Sequence, residues 1–309
     1  MRWCCRLLAL VVWSCAAEAP DPAYAFYHWQ TVLDPPPAPP AEMNAERLYV
    51  KVFDVSWENG RAEPSALLET DGTVVADFVP VVFITNEVFT HDVSTLARDV
   101  LSLVNRRFPY PYAELQVDCD WTAGTRAAYF GFLEDLRQLT EADLSCTVRL
   151  HQYRDRAAQG IPPVDRAVLM AYNTGRLGDW ETENSIVDPA AISNYVSGQP
   201  AYPLPLDIAV ATYDWAAVYR RGELAYLINE PELAPLTDGS YFTALAPLRY
   251  RVDSSTYYSG LYLYRGDRLR REIADVASAK KLAARLWPQV AGPESRYVIF
   301  YHVGSRQWE

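Results

Sequence analysis

The chain has 309 residues, of which 50% are hydrophobic and 22% charged, so it can bury a large core and is neither disordered nor collagen-like. Asp and Glu outnumber Lys and Arg by 39 to 28, and the formal net charge of -11 repels phosphate backbones. Because the sequence has no cluster of basic residues, no nucleic-acid partner is expected. The length suits two domains or one α/β barrel, which takes roughly 250 residues.

The N-terminus has the pattern of an export signal. Two arginines precede the apolar run Leu7–Trp13, which is too short for a membrane-spanning helix of about 20 residues. The segment Val12–Cys15 resembles a bacterial lipobox, in which Cys15 is lipidated, whereas Ala17–Ala19 offers an ordinary cleavage site. We expect a leader at 1–19 and an exported protein. A lipid anchor in the periplasm or at the cell surface is the first expectation, ahead of plain secretion and of no export.

Two cysteines, Cys119 and Cys146, follow that leader. Each lies among apolar residues in a predicted strand, and free cysteine is among the side chains most often buried. Two buried thiols are therefore expected. A disulfide between them is the alternative, if the two strands are neighbours and the compartment is oxidising.

Segments rich in Val, Ile, Phe and Tyr alternate with helical patterns along the chain. Eight are expected to be strands: Ala23–Gln30, Leu48–Trp57, Phe78–Thr85, Ala113–Trp121, Leu144–His151, Ala167–Asn173, Leu206–Tyr213 and Arg296–Val303. Helices are expected at Val93–Arg107, Thr125–Leu139, Pro189–Val196 and Leu269–Trp287. This order predicts an α/β fold, a (β/α)8 barrel of the TIM type, rather than an open sheet. No glycine-rich phosphate-binding motif follows any strand, so no nucleotide cofactor is expected.

The interval before the last predicted strand is too long for one helix and two loops, at roughly eighty residues. Strand patterns at Leu248–Val252 and Gly260–Tyr264 lie within it. They predict a hairpin-bearing insertion at about 216–268, which walls one side of the barrel mouth. The expected organisation is a single barrel domain over 20–309 with this insertion before its last strand.

The fourth predicted strand carries acidic residues on one face. Side chains alternate along a strand, so Leu115, Val117, Cys119 and Trp121 share the face toward the outer helices, and Gln116, Asp118 and Asp120 share the other. Carboxylates on the inward face of a barrel are costly to desolvate unless they are paired, which makes Asp118 and Asp120 candidates for function. A structural polar network, in which Lys51 pairs with Asp118, is the alternative.

These residues carry a resemblance to a known family. The segment Asp118–Thr122, DCDWT, resembles the DxDxE strand of family-18 glycoside hydrolases, the chitinase-like barrels. The segment Leu169–Asn173 resembles the sixth strand of that family, and Asp207–Trp215 is similar in kind to its seventh. The sequence QVDCDWT followed by TVRLHQ resembles a group of uncharacterised exported bacterial TIM-barrel proteins or lipoproteins more closely than it resembles the glycoside hydrolases. This resemblance implies no reaction.

The resemblance assigns roles but also shows a departure. It implies that Asp118 and Asp120 position the sugar's acetamido group and tune the catalytic acid, that Tyr172 is the pocket tyrosine, and that Asn173 replaces an aspartate. The family's proton-donating glutamate is replaced here by Thr122. Threonine cannot act as a general acid at ordinary pH, so another carboxylate takes that role or the barrel does not hydrolyse by that mechanism.

Other predicted strand ends supply replacement candidates. Glu87 directly follows the third strand and is the first choice for the acid, although a solvated loop glutamate is the alternative. The residues expected to bind the sugar are Tyr172, Asn173, Arg149, His151, Asp207, Tyr213 and Trp57. Trp180 and Trp215 are further stacking candidates, whereas Trp121 has the parity of a core residue.

Three histidines are candidate metal ligands by their position. His28, His151 and His302 belong to predicted strands whose ends meet at the barrel mouth. No HxH, HExxH or CxxC spacing is present, so no metal is expected.

The sequence supports two hypotheses. In the first, an exported barrel binds an oligo- or polysaccharide at its mouth and hydrolyses glycosidic bonds with Asp118, Asp120 and Glu87 or another nearby carboxylate. In the second, the protein is a catalytically silent glycan-binding or surface-assembly lipoprotein. The loss of glutamate at Thr122 favours the second hypothesis, and the inward aspartates favour the first.

Overall fold

The computed structural model describes residues 20–33, 39–70 and 77–308. The expected leader at 1–19, with Cys15, lies outside these residues. Within the described ranges, no helix has both the length and the apolar composition needed to cross a membrane.

Strands and helices alternate over most of the described chain. The strands are β1 (Ala23–His28), β2 (Arg47–Glu58), β3 (Arg61–Ser65), β4 (Asp77–Ile84), β5 (Glu114–Asp118), β6 (Asp143–Arg149), β7 (Arg166–Met170), β8 (Leu206–Ala211), β9 (Asp214–Arg220), β10 (Glu223–Asn229), β11 (Phe242–Ala246), β12 (Arg249–Val252), β13 (Thr256–Tyr258), β14 (Leu261–Leu263), β15 (Arg268–Ile273) and β16 (Tyr297–Tyr301). The α-helices are α1 (Leu96–Arg107), α2 (Arg126–Leu139), α3 (Leu150–Arg154), α4 (Arg156–Gln159), α5 (Pro189–Val196), α6 (Ala234–Thr237) and α7 (Val276–Val290). Short 3-10 helices lie at Ala41–Met43, Asn86–Thr90 and Arg306–Trp308.

Eight parallel strands close into a barrel. Their order is β1, β2, β4, β5, β6, β7, β8 and β16, and the ring closes because β1 pairs with both β16 and β2. The predicted (β/α)8 barrel is confirmed, and its eight strands lie within three residues of their expected bounds. The short strand β3 adds antiparallel to the end of β2.

The predicted insertion forms a separate sheet next to the barrel. Its five strands have the order β10, β9, β15, β12 and β11, and they run from Asp214 to Ile273. Both predicted strand segments are present as β12 and β14, but they do not pair with each other. β12 lies between β11 and β15, whereas β14 forms a hairpin with β13.

One helix prediction was partly wrong. The stretch predicted as a helix over Leu269–Trp287 begins as strand β15, and helix α7 starts only at Val276. The side chain of Asp275 accepts a hydrogen bond from the backbone N–H of Ser278 at 2.9 Å and caps the helix there. Pairing of β15 with β9 and β12 therefore overrides the helical pattern of its first residues.

Strand β5 has the predicted alternation. Leu115, Val117 and Cys119 belong to the hydrophobic core between the barrel and its helices. Gln116 and Asp118 lie on the opposite face and are 0% and 5% exposed. Cys119 and Cys146 are buried free thiols, as expected from their apolar surroundings, and they form no disulfide.

Hydrogen bonds and ion pairs lie inside the barrel beside a cluster of apolar side chains. At the amino ends of the strands, Arg47 lies 2.7 Å from Glu114. One layer higher, the Tyr27 hydroxyl donates to Gln116 Oε1 at 2.6 Å. The polar groups that β5 turns inward are thus paired, as buried polar groups must be to avoid a large desolvation cost.

A β-bulge in β2 explains why Lys51 does not pair with Asp118. The register with β4 shifts between Lys51 and Phe53, and both Val52 and Phe53 join the outer core. The extra residue brings Asp54 to the same face as Lys51. Lys51 Nζ then lies 2.8 Å from Asp54 Oδ1, so the alternative in which it pairs with Asp118 was wrong.

Candidate functional site

A cavity of about 570 Å³ opens at the carboxyl ends of the barrel strands, between the barrel and the insertion. This end is where barrels of this type place their functional side chains. Six of the predicted catalytic and sugar-binding residues line the cavity, together with the further stacking candidate Trp215; the six are Asp118, Asp120, Arg149, Tyr172, Asn173 and Tyr213. The cavity is therefore the candidate site.

Asp118 is a buried carboxyl group at the cavity. The Thr147 hydroxyl donates a hydrogen bond to its Oδ1 at 2.6 Å, and no described basic side chain lies within salt-bridge distance of it. Burial raises the pKa of Asp118 to about 7, the Thr147 hydrogen bond opposes this rise, and the charge of Asp120 adds to it. A carboxyl group with this pKa carries a proton over much of the neutral range and can donate it.

Asp120 lies beyond the end of β5 and faces Arg149. Its side chain is 53% exposed, and its Oδ2 lies 3.6 Å from the Arg149 guanidinium, a loose ion pair open to solvent. Gln152 accepts the Arg149 backbone N–H and donates to the Trp121 carbonyl, each at 2.7 Å. Gln152 is fully buried. Its two hydrogen bonds connect the ends of β5 and β6 and hold Asp120 and Arg149 beside the cavity.

Tyrosine rings form another wall. The rings of Tyr172 and Tyr301 stack at 5.5 Å, and Tyr213 meets Tyr301 edge to face at 5.7 Å. The Tyr213 hydroxyl donates to Asn173 Oδ1 at 2.7 Å. Asn173 has a φ of 55°, in the left-handed region, which asparagine tolerates better than most residues.

Two tryptophans extend this wall. The Trp29 ring lies 5.4 Å from that of Tyr301, and the Trp215 ring lies 5.4 Å from that of Tyr213. The indole N–H of Trp215 donates to Glu272 at 2.8 Å, which fixes its orientation. Trp215 was a stacking candidate from the sequence. Trp29 was missed, although its place just after β1 marks it by the same strand-end rule.

The insertion supplies carboxylates that sequence reasoning missed. Glu230 lines the cavity, and its side chain accepts the Arg306 backbone N–H at 3.1 Å. Asp214 also lines the cavity but is fully buried, with Arg271 at 2.9 Å and Arg306 at 3.0 Å. Asp214 is thus neutralised, whereas no described side chain forms an ion pair with Glu230. No motif in the sequence marks Glu230, because only the insertion sheet brings it to the mouth.

Three predicted site residues do not line the cavity. Glu87 is exposed on the 3-10 turn after β4, whose neighbours Val88 and Phe89 are the buried residues. His151 is exposed on α3, where the chain has already turned away from the barrel axis. Trp57 stacks on His91 at 3.8 Å outside the barrel, because the bulge in β2 gives it the outward parity.

Asp207 lies at the opposite end of the barrel. It is fully buried, its Oδ2 accepts a hydrogen bond from Arg166 at 2.7 Å, and its Oδ1 accepts the backbone N–H groups of Arg296 and Tyr297. These contacts join β7, β8 and β16 near their amino ends. The geometry gives Asp207 a structural role in place of the predicted sugar contact.

Thr122, Trp121 and Trp180 also lie outside the cavity lining. The Thr122 backbone N–H donates to Thr125 Oγ1 at 3.0 Å, which holds Thr122 in the segment just before α2. Trp121 is buried against Tyr129 in the outer core, as its parity predicted. Trp180 packs under the guanidinium groups of the insertion arginines.

The histidines do not assemble a metal site. His28 is buried with Nε2 3.0 Å from the Val32 carbonyl, and burial lowers its pKa to about 4. His302 lines the cavity, with Nδ1 2.8 Å from the Val303 carbonyl. Among residues 20–33, 39–70 and 77–308, no group of three or more His, Cys, Asp and Glu is arranged to hold a metal ion.

Solved structures resemble this chain in fold. Neither a protein-family model nor a curated protein sequence matches it. The spore cortex-lytic enzyme SleL of Bacillus cereus matches with a TM-score of 0.50 and 14% identity, over 94% of this chain and 74% of that one. A chitinase of Chromobacterium violaceum matches with a TM-score of 0.50 and 12% identity, over 93% of this chain and 96% of that one. At these identities the likeness establishes a shared barrel fold.

The raised pKa of Asp118 predicts a pH-dependent stability. The folded pKa of about 7 lies above the unfolded value, so ionisation of Asp118 destabilises the fold progressively as the pH rises from about 4 to about 7. Asp118→Asn removes this penalty. Between pH 4 and pH 8, its free energy of unfolding should rise relative to wild type by up to about 4 kcal/mol, measured by urea unfolding. A difference that stays constant over this range would contradict the burial of an ionisable carboxyl group at this position.

Glu230 has a strained backbone conformation, so we expect that glycine at this position would not destabilise the fold. Its φ of 45° lies in the left-handed region, which costs a non-glycine residue about 1 kcal/mol. In Glu230→Gly, relief of this strain should offset the lost hydrogen bond to Arg306, so that the free energy of unfolding stays within about 1 kcal/mol of wild type. Leu248→Gly, at a φ of 59° away from the cavity, is the matched control and should be stabilised. A loss above about 2 kcal/mol in Glu230→Gly alone would make Glu230 a structural residue.

Proposed function

We propose that this protein binds an oligosaccharide at the barrel mouth and hydrolyses a glycosidic bond, with Asp118 as the proton donor. The observation that carries the proposal is the state of Asp118, a buried carboxyl group at the cavity with no described basic side chain within salt-bridge distance and a pKa raised to about 7. Raised pKa values of this kind mark general acids. Asp118 therefore replaces Glu87 as the candidate acid.

The remaining groups fit the rest of the reaction. Asp118 gives its proton to the glycosidic oxygen, the bond to the anomeric carbon breaks, and water adds to that carbon and loses a proton to an ionised carboxylate. Asp120 and Glu230 line the same cavity and are the candidates for this base. Arg149 beside Asp120 is placed to hold sugar hydroxyl groups.

The aromatic wall supports a sugar as the ligand. Trp29, Tyr172, Tyr213, Trp215 and Tyr301 line one cavity. Aromatic faces pack against the C–H faces of sugar rings, and the hydrogen bonds of Tyr213 to Asn173 and of Trp215 to Glu272 fix the orientation of two of these rings. The structural neighbours support the same class, since one is a chitinase and another is a spore cortex-lytic enzyme.

A second candidate function is glycan binding without catalysis. The observation that favours it is Thr122, which stands at the acid position of the family-18 pattern and is held in the segment before α2, outside the cavity lining. Under this hypothesis the aromatic wall and the Asp120 and Arg149 pair bind the sugar, and Asp118 only shapes the pocket.

Turnover by the full chain distinguishes the two candidates. Wild type is incubated with a panel of tetrasaccharides, and product release and binding are measured against Asp118→Asn. We expect the variant to lose turnover by about 100-fold or more while it still binds, and wild-type turnover to fall above pH 7 as Asp118 loses its proton.

The control for that experiment is Asp143→Asn, an exposed aspartate at the amino end of β6. This variant should keep wild-type turnover. Binding without product release in every variant would support the silent glycan-binding protein. Equal turnover in wild type and Asp118→Asn would remove Asp118 from the mechanism.

We also propose that the protein is exported and anchored through Cys15. The support is the N-terminal signal pattern and its lipobox-like segment. Cys15→Ser should abolish incorporation of labelled palmitate in a bacterial host and release the protein from the membrane fraction. Labelling that persists in the variant would contradict the anchor, and an unlabelled wild type in the medium would indicate plain secretion.

A further inference from the structure

A row of exposed tyrosines lies on and next to the hairpin of β13 and β14, outside the lining of the first cavity. Tyr257 and Tyr262 are cross-strand partners, and their rings lie 4.9 Å apart. The ring of Tyr264 continues the row, 5.1 Å from that of Tyr262. These three side chains are 79%, 42% and 52% exposed.

The opposite face of the same hairpin packs against the core of the insertion. Tyr258 and Leu263 are 3% and 0% exposed and belong to the hydrophobic core of the insertion. The tight turn has a positive φ at both Ser259 and Gly260, which suits a two-residue hairpin. The hairpin is thus anchored by its buried face, and the highly exposed Tyr257 adds nothing to that core.

Arginines stand at the end of the tyrosine row. Arg220 lies 4.4 Å from the Tyr264 ring centroid, and two hydrogen bonds to Asp267, at 3.1 and 2.8 Å, hold its guanidinium. A second cavity, of about 870 Å³, is lined by Tyr264, these two residues and the exposed Arg221 and Arg265. The guanidinium of Arg220 is therefore fixed, whereas Arg221 and Arg265 are exposed to solvent.

The charge of this cavity opposes that of the whole chain. Its lining has three arginines against Asp267 and Glu223, a formal balance of +1, whereas the chain carries -11. In the part of the chain that the structure describes, no salt bridge joins Arg221 or Arg265 to a carboxylate. A ligand with its own carboxylates would pair with these exposed guanidinium groups through charge-assisted hydrogen bonds.

We propose that this surface, formed by Tyr257, Tyr262, Tyr264, Arg221 and Arg265, is a second carbohydrate site that takes acidic, uronate-bearing saccharides. The rings pack against sugar faces, and the two arginines pair with the sugar carboxylates. The inference extends the proposed function, because it assigns a polymer of acidic sugar as the substrate class that the insertion captures. Strand β10 lines both cavities, Leu227 and Asn229 at the mouth and Glu223 at this surface, so one polymer chain is able to contact both.

Binding of tetragalacturonate to the full chain tests this proposal by calorimetry. We expect Tyr257→Ala and Arg265→Ala each to weaken the affinity about tenfold, and Tyr257→Phe, which keeps the ring, to retain it. Wild-type affinity should fall in high salt, because the paired groups are solvent-exposed. Tyr241→Ala is the matched control, since Tyr241 is a 44% exposed tyrosine of the insertion outside this surface, and it should bind as wild type does.

Several outcomes would overturn the proposal. They are the absence of wild-type binding to tetragalacturonate, equal affinity in wild type and Tyr257→Ala, and equal weakening in Tyr241→Ala. A shift from dimer to monomer in Tyr257→Ala with unchanged sugar binding would make the surface a contact between copies of the chain. Binding that depends on Tyr257 without product release from any sugar would retain this site and remove the hydrolysis.

Discussion

The closed ring of parallel strands forces every second side chain of β5 into a space shielded from water, and the chemistry of the site follows from this constraint. Glu114 and Asp118 both enter the barrel, and burial raises the pKa of each. At the amino ends of the strands, Arg47 compensates Glu114 across 2.7 Å. At the carboxyl ends, Asp118 accepts a hydrogen bond from the Thr147 hydroxyl, and no described basic side chain lies within salt-bridge distance of it. The same strand thus supplies a structural ion pair at one end and a carboxyl group able to release a proton at the other.

The insertion and the barrel contribute differently to the mouth. Barrel strands place Asp118, Arg149 and Tyr172 on a rigid frame, where packing fixes the side chains. The insertion adds Glu230 in a left-handed backbone conformation, which a stability-driven sequence would assign to glycine or asparagine. The barrel thus supplies rigidly packed side chains, and the insertion supplies a carboxylate on a strained backbone.

The structural neighbours share the fold of this protein, but that likeness does not carry over their chemistry. The barrel is shared with enzymes at 14% and 12% identity, so the fold tolerates almost complete replacement of its sequence. The acid position of the family-18 pattern holds Thr122, which lies here in the segment before a helix. Any reaction at this mouth must therefore be argued from the side chains that line it.

The sequence alone determined the eight strands, the insertion and the inward face of β5, because strand periodicity and turn residues are local signals. Six of the site residues predicted from the sequence also line one cavity, because barrel sites lie at the carboxyl ends of the strands. Tertiary structure decided the rest. A single extra residue in β2 reversed the parity of Trp57 and paired Lys51 with Asp54, and pairing between β9 and β10 carried Glu230 to the mouth. Bulges and contacts between distant segments depend on the packing of the whole chain, so no local pattern in the sequence records them.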